Sequence, residues 1–274
     1  MSASSMVRPV TPTEIENYRR DGWVHLPGLV SAEVVAKMRT HLERRLGVDG
    51  LGMLDAPGAG NARLVDLVER RDIRFIARDE KQEPFAELCF ASELGPNAQR
   101  LIGRPVPTRY FVDAVLAKIP ETSGRPNVKT AWHQDFAFLP CDRAGFCVIW
   151  IALHDIPPER GSMRFISGSH RAGPLGRISH ENGPDLLDRN PHLLTEFALS
   201  EPLHMAPGDA TCHHSLMVHS APVNTTDQVR WAYTVSYFPA DTCYTGAPST
   251  GTDGLNLRVG DEFDHPLFPI VADR

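Results

Sequence analysis

At 274 residues, the chain is long enough for a substantial core, and its 42% hydrophobic and 23% charged residues are ordinary for a soluble globular protein. A net charge of −6 offers no basic face for nucleic acid, no apolar run reaches the length of a membrane span, and Met1–Met6 lacks the apolar core of a secretion signal. Five cysteines without a C-x-x-C pair argue against a disulfide framework or a thiolate zinc site, and for a reducing, cytoplasmic compartment.

Residues 1–10 read as a tail. Thr11-Pro12-Thr13-Glu14 is a helix start: Thr11 suits the N-cap, Pro12 the first turn and Glu14 the far side of a capping box. This helix ends near Asp21-Gly22, and Trp23–Pro27 follows as a short strand. Ser31 caps a second helix, whose Val34, Val35, Met38, Leu42 and Leu46 recur on one face until Gly47. His25 and His41 have no carboxylate at metal spacing and read as ordinary histidines. Residues 47–62, rich in Gly, Ala and Asn, read equally as a surface loop or as a lid over a pocket. Pro84–Ile102 reads as one or two helices ending at Gly103, and Arg109–Ile119 as a strand.

Beyond Lys129 the pattern turns to strands. Phe146–Leu153 is a continuous apolar run, as for a buried strand, and Gly161–His170 a turn with a short strand. Residues 171–200 are polar and carry Pro174, Gly183-Pro184 and Pro191, which suits an excursion above a sheet. Pro207-Gly208-Asp209 is a turn, and Ala210–His219 reads as one strand. Val229–Phe238 alternates cleanly, with Arg230, Ala232, Thr234 and Ser236 on one face and Val229, Trp231, Tyr233, Val235 and Tyr237 on the other. Short strands at this spacing suggest an all-β barrel or jelly roll supported by N-terminal helices. No repeat or linker divides the chain, so residues 1–274 are read as a single domain.

Two stretches carry the chemistry. In an extended strand, positions i and i+2 share a face, so His133 and Asp135 project together while Gln134 points elsewhere. An imidazole, a carboxylate and a second imidazole make the facial triad of non-haem Fe(II), which leaves coordination positions open. His213, His214 and His219 compete to be the third ligand. His219 lies where a strand gives way to the turn Ser220–Asn224, a rim position from which a side chain reaches an ion without being sealed in the core. His213 and His214 read alternatively as supporting groups or as satisfied core side chains. An isolated His-x-Asp is also what a polar surface strand contains, so the combination matters more than the pair. Arg230 shares its face with small or hydroxylated residues, which leaves room for a carboxylate on its guanidinium fork; its plainer reading is a surface partner for Asp227. Trp150, inside an apolar run, reads as core or as a ligand contact.

Three blocks together resemble the phytanoyl-CoA dioxygenase-like Fe(II)/2-oxoglutarate oxygenases: His133-Gln134-Asp135; Val148–Leu153 through Gly161–His170; and Pro207-Gly208-Asp209 with His219, Asn224 and Arg230. The resemblance spans about residues 114–240, and the N-terminal helices are similar too. It implies a mainly β fold with flanking α-helices around a double-stranded β-helix, a jelly-roll or cupin-like core. Helices would occupy about residues 11–103 and the core about 104–274. It implies that His133, Asp135 and His219 bind Fe(II), that Arg230 grips the distal carboxylate of 2-oxoglutarate, and that Gln134 and Trp150 contact this co-substrate. The reaction so implied consumes O2, releases succinate and CO2, and hydroxylates a C–H bond. Asp135 also separates the chain from iron halogenases of similar fold, which carry a small residue there. One departure stands out: the family often has Ser or Thr two positions after the distal His, where this chain has Ala221.

Other readings remain. The same iron site supports desaturation, epimerisation, ring rearrangement or endoperoxide formation. A non-catalytic jelly-roll binding module predicts a broken triad or a missing carboxylate anchor. A zinc hydrolase leaves Arg230 without a task. Phe136, Phe138, Leu139 and Met217 suggest an apolar component in the substrate, and Arg63, Arg70, Arg71, Arg74 and Arg78 form either an anion-binding region or a solvated face. The expected partner is a small organic metabolite, for instance a natural-product intermediate, with no nucleic acid and no membrane.

Overall fold

The structure, a computed structural model, describes residues 6–48, 71–120, 129–178 and 184–273. The lid expectation falls almost wholly on residues outside this set, as do Arg63 and Arg70; for Arg71 and Arg74 only the backbone is described. Helix α1 spans Pro12–Asp21, and its capping box is formed: Thr11 accepts from the Glu14 amide, and the Glu14 carboxylate accepts from the Thr11 amide. Strand β1 is Trp23–Leu26. Helix α2, Ala32–Leu46, starts at the Ser31 cap and buries the expected face, Val34, Val35, Met38, Leu42 and Leu46. The stretch from Pro84 resolves into two helices, α3 (Phe85–Phe90) and α4 (Leu94–Ile102), the latter ending at left-handed Gly103.

The strands form two sheets. The larger has seven strands, ordered β1, β8 (Ala210–His214), β5 (Cys147–Ala152), β10 (Arg230–Pro239), β3 (Thr108–Lys118) and β11 (Ile270–Ala272), with β2 (Arg71–Arg74) also pairing β3. The smaller has four, ordered β4 (Thr130–His133), β9 (His219–Ala221), β6 (Arg164–Ser167) and β7 (Ala198–Leu199). All described pairings are antiparallel. This is the jelly-roll core expected.

The alternation read along β10 is realised on both faces. Val229, Trp231, Tyr233, Val235 and Tyr237 pack with Met38, Leu42, Leu88 and Leu101 of the helices in the main core. The opposite face, at Ala232, packs with Trp150, Met163, Phe165, Met217 and Ala221 between the sheets. At roughly 1.5–3 kcal/mol for each large apolar side chain buried, the helix-covered face dominates the stabilisation.

Ala210–His219 is not one strand. The chain turns at Ser215–Val218, where Leu216 N donates to His214 Nδ1 at 3.1 Å and Met217 N to His214 O at 2.8 Å. The turn hands β8 to the large sheet and β9 to the small one. The Pro207–Asp209 turn depends on glycine: Gly208 has φ 90°, and a Cβ there would collide with Val30 O. Its amide donates to Ala152 O, and its carbonyl accepts from Val30 N. Within the 171–200 excursion lie two short helices, α5 (Leu186–Arg189) and α6 (Leu193–Glu196), followed by β7 pairing with β6.

Candidate metal centre and cavity

His133 ends β4 and His219 begins β9, and the two are Cα partners across the small sheet. Asp135 is not on the strand. The chain leaves β4 at His133 and enters a 3₁₀ turn over Asp135–Phe138, anchored by Phe136 N donating to Ser215 O at 2.9 Å. The carboxylate still joins the two histidines, but through a turn and not through strand alternation. His133 Nε2 lies 3.4 Å and His219 Nε2 3.9 Å from Asp135 Oδ1. One ligand atom from each residue falls within 4.8 Å of the others, close enough for a single ion.

The imidazoles are set in the tautomer that a metal requires. His133 Nδ1 donates to Ala131 O at 2.8 Å, and His219 Nδ1 to Met217 O at 3.0 Å. Each Nε2 therefore carries its lone pair toward the shared space. Burial, with His133 and His213 nearby, pushes the His219 pKa well below the ordinary value, so its ring is neutral. Burial alone would raise the Asp135 pKa, but the three histidines that face it outweigh burial and hold the carboxyl well below its usual range. Two imidazoles, each turning its Nε2 inward, and an ionised carboxylate are the donor set for Fe(II). His213 has a separate part: its Nε2 donates to Asp135 Oδ2 at 3.0 Å, which leaves Oδ1 to face the histidines.

A cavity of about 210 Å³ opens beside this cluster and is lined by Arg230, Trp150, Lys118, Thr130 and all three ligand candidates. Arg230 is buried and has no Asp227 pairing among its contacts. Its Nη1 donates to Gly161 O at 2.9 Å, and its guanidinium carbon lies 5.3 Å from the centre of the Trp150 ring. Burial lowers its pKa to about 10, which keeps it cationic at neutral pH. Gly161 packs closely on the segment after β9: with φ 80°, a Cβ there would stand 2.8 Å from Pro222 O and 3.0 Å from Lys118 Cδ. Among the described residues, Arg230 Nε and Trp150 Nε1 are buried without a hydrogen-bond partner. Orphaned polar atoms beside a cavity suit a polar ligand. Lys118 is the Cα partner of Arg230, and its Nζ donates to Ala221 O at 2.8 Å and Pro222 O at 2.6 Å. Thr130, the Cα partner of Ala221, brings a hydroxyl into the lining near the position that lacks one.

The remaining candidates divide. Phe138 and Leu139 line the cavity, whereas Phe136 and Met217 do not. Gln134 is also outside the lining. Its Nε2 donates to Gly173 O and Leu216 O at 2.9 and 2.8 Å, and its Oε1 accepts from Leu175 N at 2.8 Å. These bonds tie the turn before β9 to the 171–200 excursion. His214 is half-buried next to His170, and its pKa falls to about 4 through burial and the neighbouring His170 and His213. Arg78 is paired with Asp79 and covers Phe75. Sequence reasoning left His213 open; its contact with Asp135 joins positions 78 apart, and no local signal carries that.

A family model described as Phytanoyl-CoA dioxygenase (PhyH) matches residues 18–232. The chain belongs to this family. As a PhyH protein it is a non-haem, iron- and 2-oxoglutarate-dependent dioxygenase. L-proline trans-4-hydroxylase of Streptomyces griseoviridis is 24% identical over 280 residues, covering 94% of this chain and 95% of that protein. Among solved structures, the non-heme alpha-ketoglutarate-dependent carbocyclase SnoK of nogalamycin biosynthesis superposes with a TM-score of 0.75 at 28% identity, covering 98% of this chain and 100% of that one. The epimerase SnoN, in complex with Fe3+, alpha-ketoglutarate and nogalamycin RO, gives 0.72 at 27% identity, covering 95% and 98%.

Proposed function

We propose that His133, Asp135 and His219 hold the iron, that Arg230 binds the distal carboxylate of 2-oxoglutarate, and that the enzyme hydroxylates an unactivated C–H bond of a small organic metabolite, a natural-product intermediate. The observation that carries the assignment is the pair of Nδ1–carbonyl bonds, which turns two Nε2 atoms toward the space they share with Asp135 Oδ1. Iron with 2-oxoglutarate and O2 supplies the oxidant that removes the substrate hydrogen, with succinate and CO2 released. The chain's own residues do the rest. His213 holds Asp135 by one oxygen, Arg230 offers a buried cation, and Trp150 backs its guanidinium. Thr130 is the hydroxyl best situated to replace the one missing at Ala221. Gln134 acts as a positioning residue and not as a contact of the co-substrate.

A second outcome at the same centre has specific support: the two similar structures above are a carbocyclase and an epimerase. Both outcomes begin with hydrogen removal and differ in where the substrate carbon sits. The test of the shared part is succinate release in the presence of Fe(II) and O2. In Arg230→Ala, the KM for 2-oxoglutarate should rise about 100-fold, the scale for losing a charge-assisted carboxylate contact in a buried site, with iron affinity nearly unchanged. An unchanged KM would remove Arg230 from the co-substrate site. Among the described residues, no helix is long and apolar enough to cross a membrane.

A further inference from the structure

The end of the cavity away from Arg230 is built differently. Lys118 opposes Arg230, while Phe111 lies seven residues earlier on β3, about 23 Å away at the rise of an extended strand. The β3–β10 register shifts between Ser236 and Tyr237: Ser236 opposes Val112, Tyr237 opposes Tyr110, and Phe111 is the extra residue. This bulge brings Phe111 and Val112 together into the cavity lining. Phe75 joins them from the loop after β2. It is buried, yet it belongs to none of the core clusters of the described residues.

Phe75 has φ 62°, a left-handed backbone that a bulky aromatic keeps only when its surroundings impose it. Asp113 imposes it here. Phe75 N donates to Asp113 O at 2.8 Å, and Ala77 N donates to Asp113 Oδ2 at 3.1 Å. Asp113 is itself fully buried and fixed by Tyr110 Oη donating to Oδ1. Arg78 covers the ring, its guanidinium carbon 3.7 Å from the ring centre. Gly251 of the C-terminal segment closes the wall: a Cβ there would stand 3.5 Å from Phe75 Cζ and 3.8 Å from Phe111 Cζ. The charged lining residues are Lys118, Arg230 and Asp135; at the Phe75 end the charge is that of Arg78, which lies over the ring and not in the lining.

We propose that Phe75, Phe111 and the Ser249–Gly251 segment form the substrate-recognition wall, and that this wall selects an uncharged, ring-bearing, mainly apolar molecule. The inference rests on the oxygenase reading and adds the substrate class. A free amino acid does not fit it, because an ammonium and a carboxylate left without partners at an apolar wall are costly to desolvate. The ring faces and the glycine backbone instead offer flat contact area.

The test uses 2-naphthol, an uncharged two-ring probe at neutral pH, followed by fluorescence on the full-length chain with and without Fe(II) and 2-oxoglutarate. Wild type should bind it, Phe75→Ala should bind at least about tenfold more weakly, the scale of one large apolar contact, and Phe75→Leu should fall between. L-proline at millimolar concentration should leave the probe bound. If Phe75→Ala is unstable, Phe75→Leu and Phe111→Leu carry the same comparison. Unchanged affinity in a folded variant, or displacement of the probe by L-proline, overturns the proposal. Succinate release without substrate should keep its 2-oxoglutarate KM in Phe75→Leu. Its absence in wild type would count against the iron and co-substrate reading, whereas probe binding to the metal-free chain answers for the wall by itself.

Discussion

The two sheets of this protein are held by different forces. The large sheet is stiffened by burial: its helix-facing side is apolar along β5, β8 and β10, and the helices lie across it. The small sheet has strands of two to four residues and a smaller apolar cover, in which Ile166 and Val218 pack with Ile178, Leu186 and Leu193. Polar ties add to this cover, between Gln134 and the backbone at Gly173, Leu175 and Leu216, and between Val218 N and Ser169 Oγ. The scaffold is a matter of area, and the site is a matter of individual hydrogen bonds. Mutations in the two sheets should therefore fail in different ways.

The largest effect on stability should come from the large sheet. Ile149 is completely buried there, and Ile149→Ala should cost about 2–5 kcal/mol, read as a lower denaturation midpoint. The folded fraction should keep its iron affinity. A drop in iron affinity without lost stability would dissolve the contrast between the sheets.

The next effect concerns a polar tie of the large sheet. His154 Nε2 accepts from Trp231 N at 2.8 Å, so it must remain unprotonated. Burial first, then the Arg160 charge, lowers its pKa from 6.5 to about 4. The unfolded chain takes up this proton at higher pH than the folded one. The contribution, about 3 kcal/mol, is thus complete above the ordinary histidine pKa and is lost as the pH falls toward 4. Melting temperature measured across that window should fall in wild type and fall less steeply in His154→Gln, where His214 keeps its share of the slope.

The smallest effect separates support from chemistry. Gln134→Ala removes three hydrogen bonds between the excursion and the turn before β9. It should cost about 1–3 kcal/mol of stability and weaken iron binding about tenfold, the scale for a group that orients metal ligands. If it instead raises the 2-oxoglutarate KM alone, Gln134 contacts the co-substrate after all.

This contrast also explains what could be read from the sequence. Features set by periodicity and caps were legible: the Thr11 capping box, the buried face of α2 and the two faces of β10. So was the site's cast, because His133, Asp135 and His219 converge as expected. What escaped was fixed by contacts between distant residues. The Ser215–Val218 turn contains neither Gly nor Pro, and Leu216, Met217 and Val218 look like strand residues, so Ala210–His219 read as continuous. Asp135 sits on a turn anchored by Ser215, about eighty positions on in the chain. The amide of Gln134 found backbone partners, and the bulge at Phe111 leaves no mark on the residue pattern.

The central claim is that His133, Asp135 and His219 hold iron while Arg230 holds 2-oxoglutarate beside it. The most direct measurement is the visible absorption of the anaerobic protein after addition of Fe(II) and then 2-oxoglutarate. Wild type should show the weak charge-transfer band of the chelated co-substrate, and His219→Ala should lose it. Iron binding without the band in wild type, or a band that survives in His219→Ala, would contradict the claim.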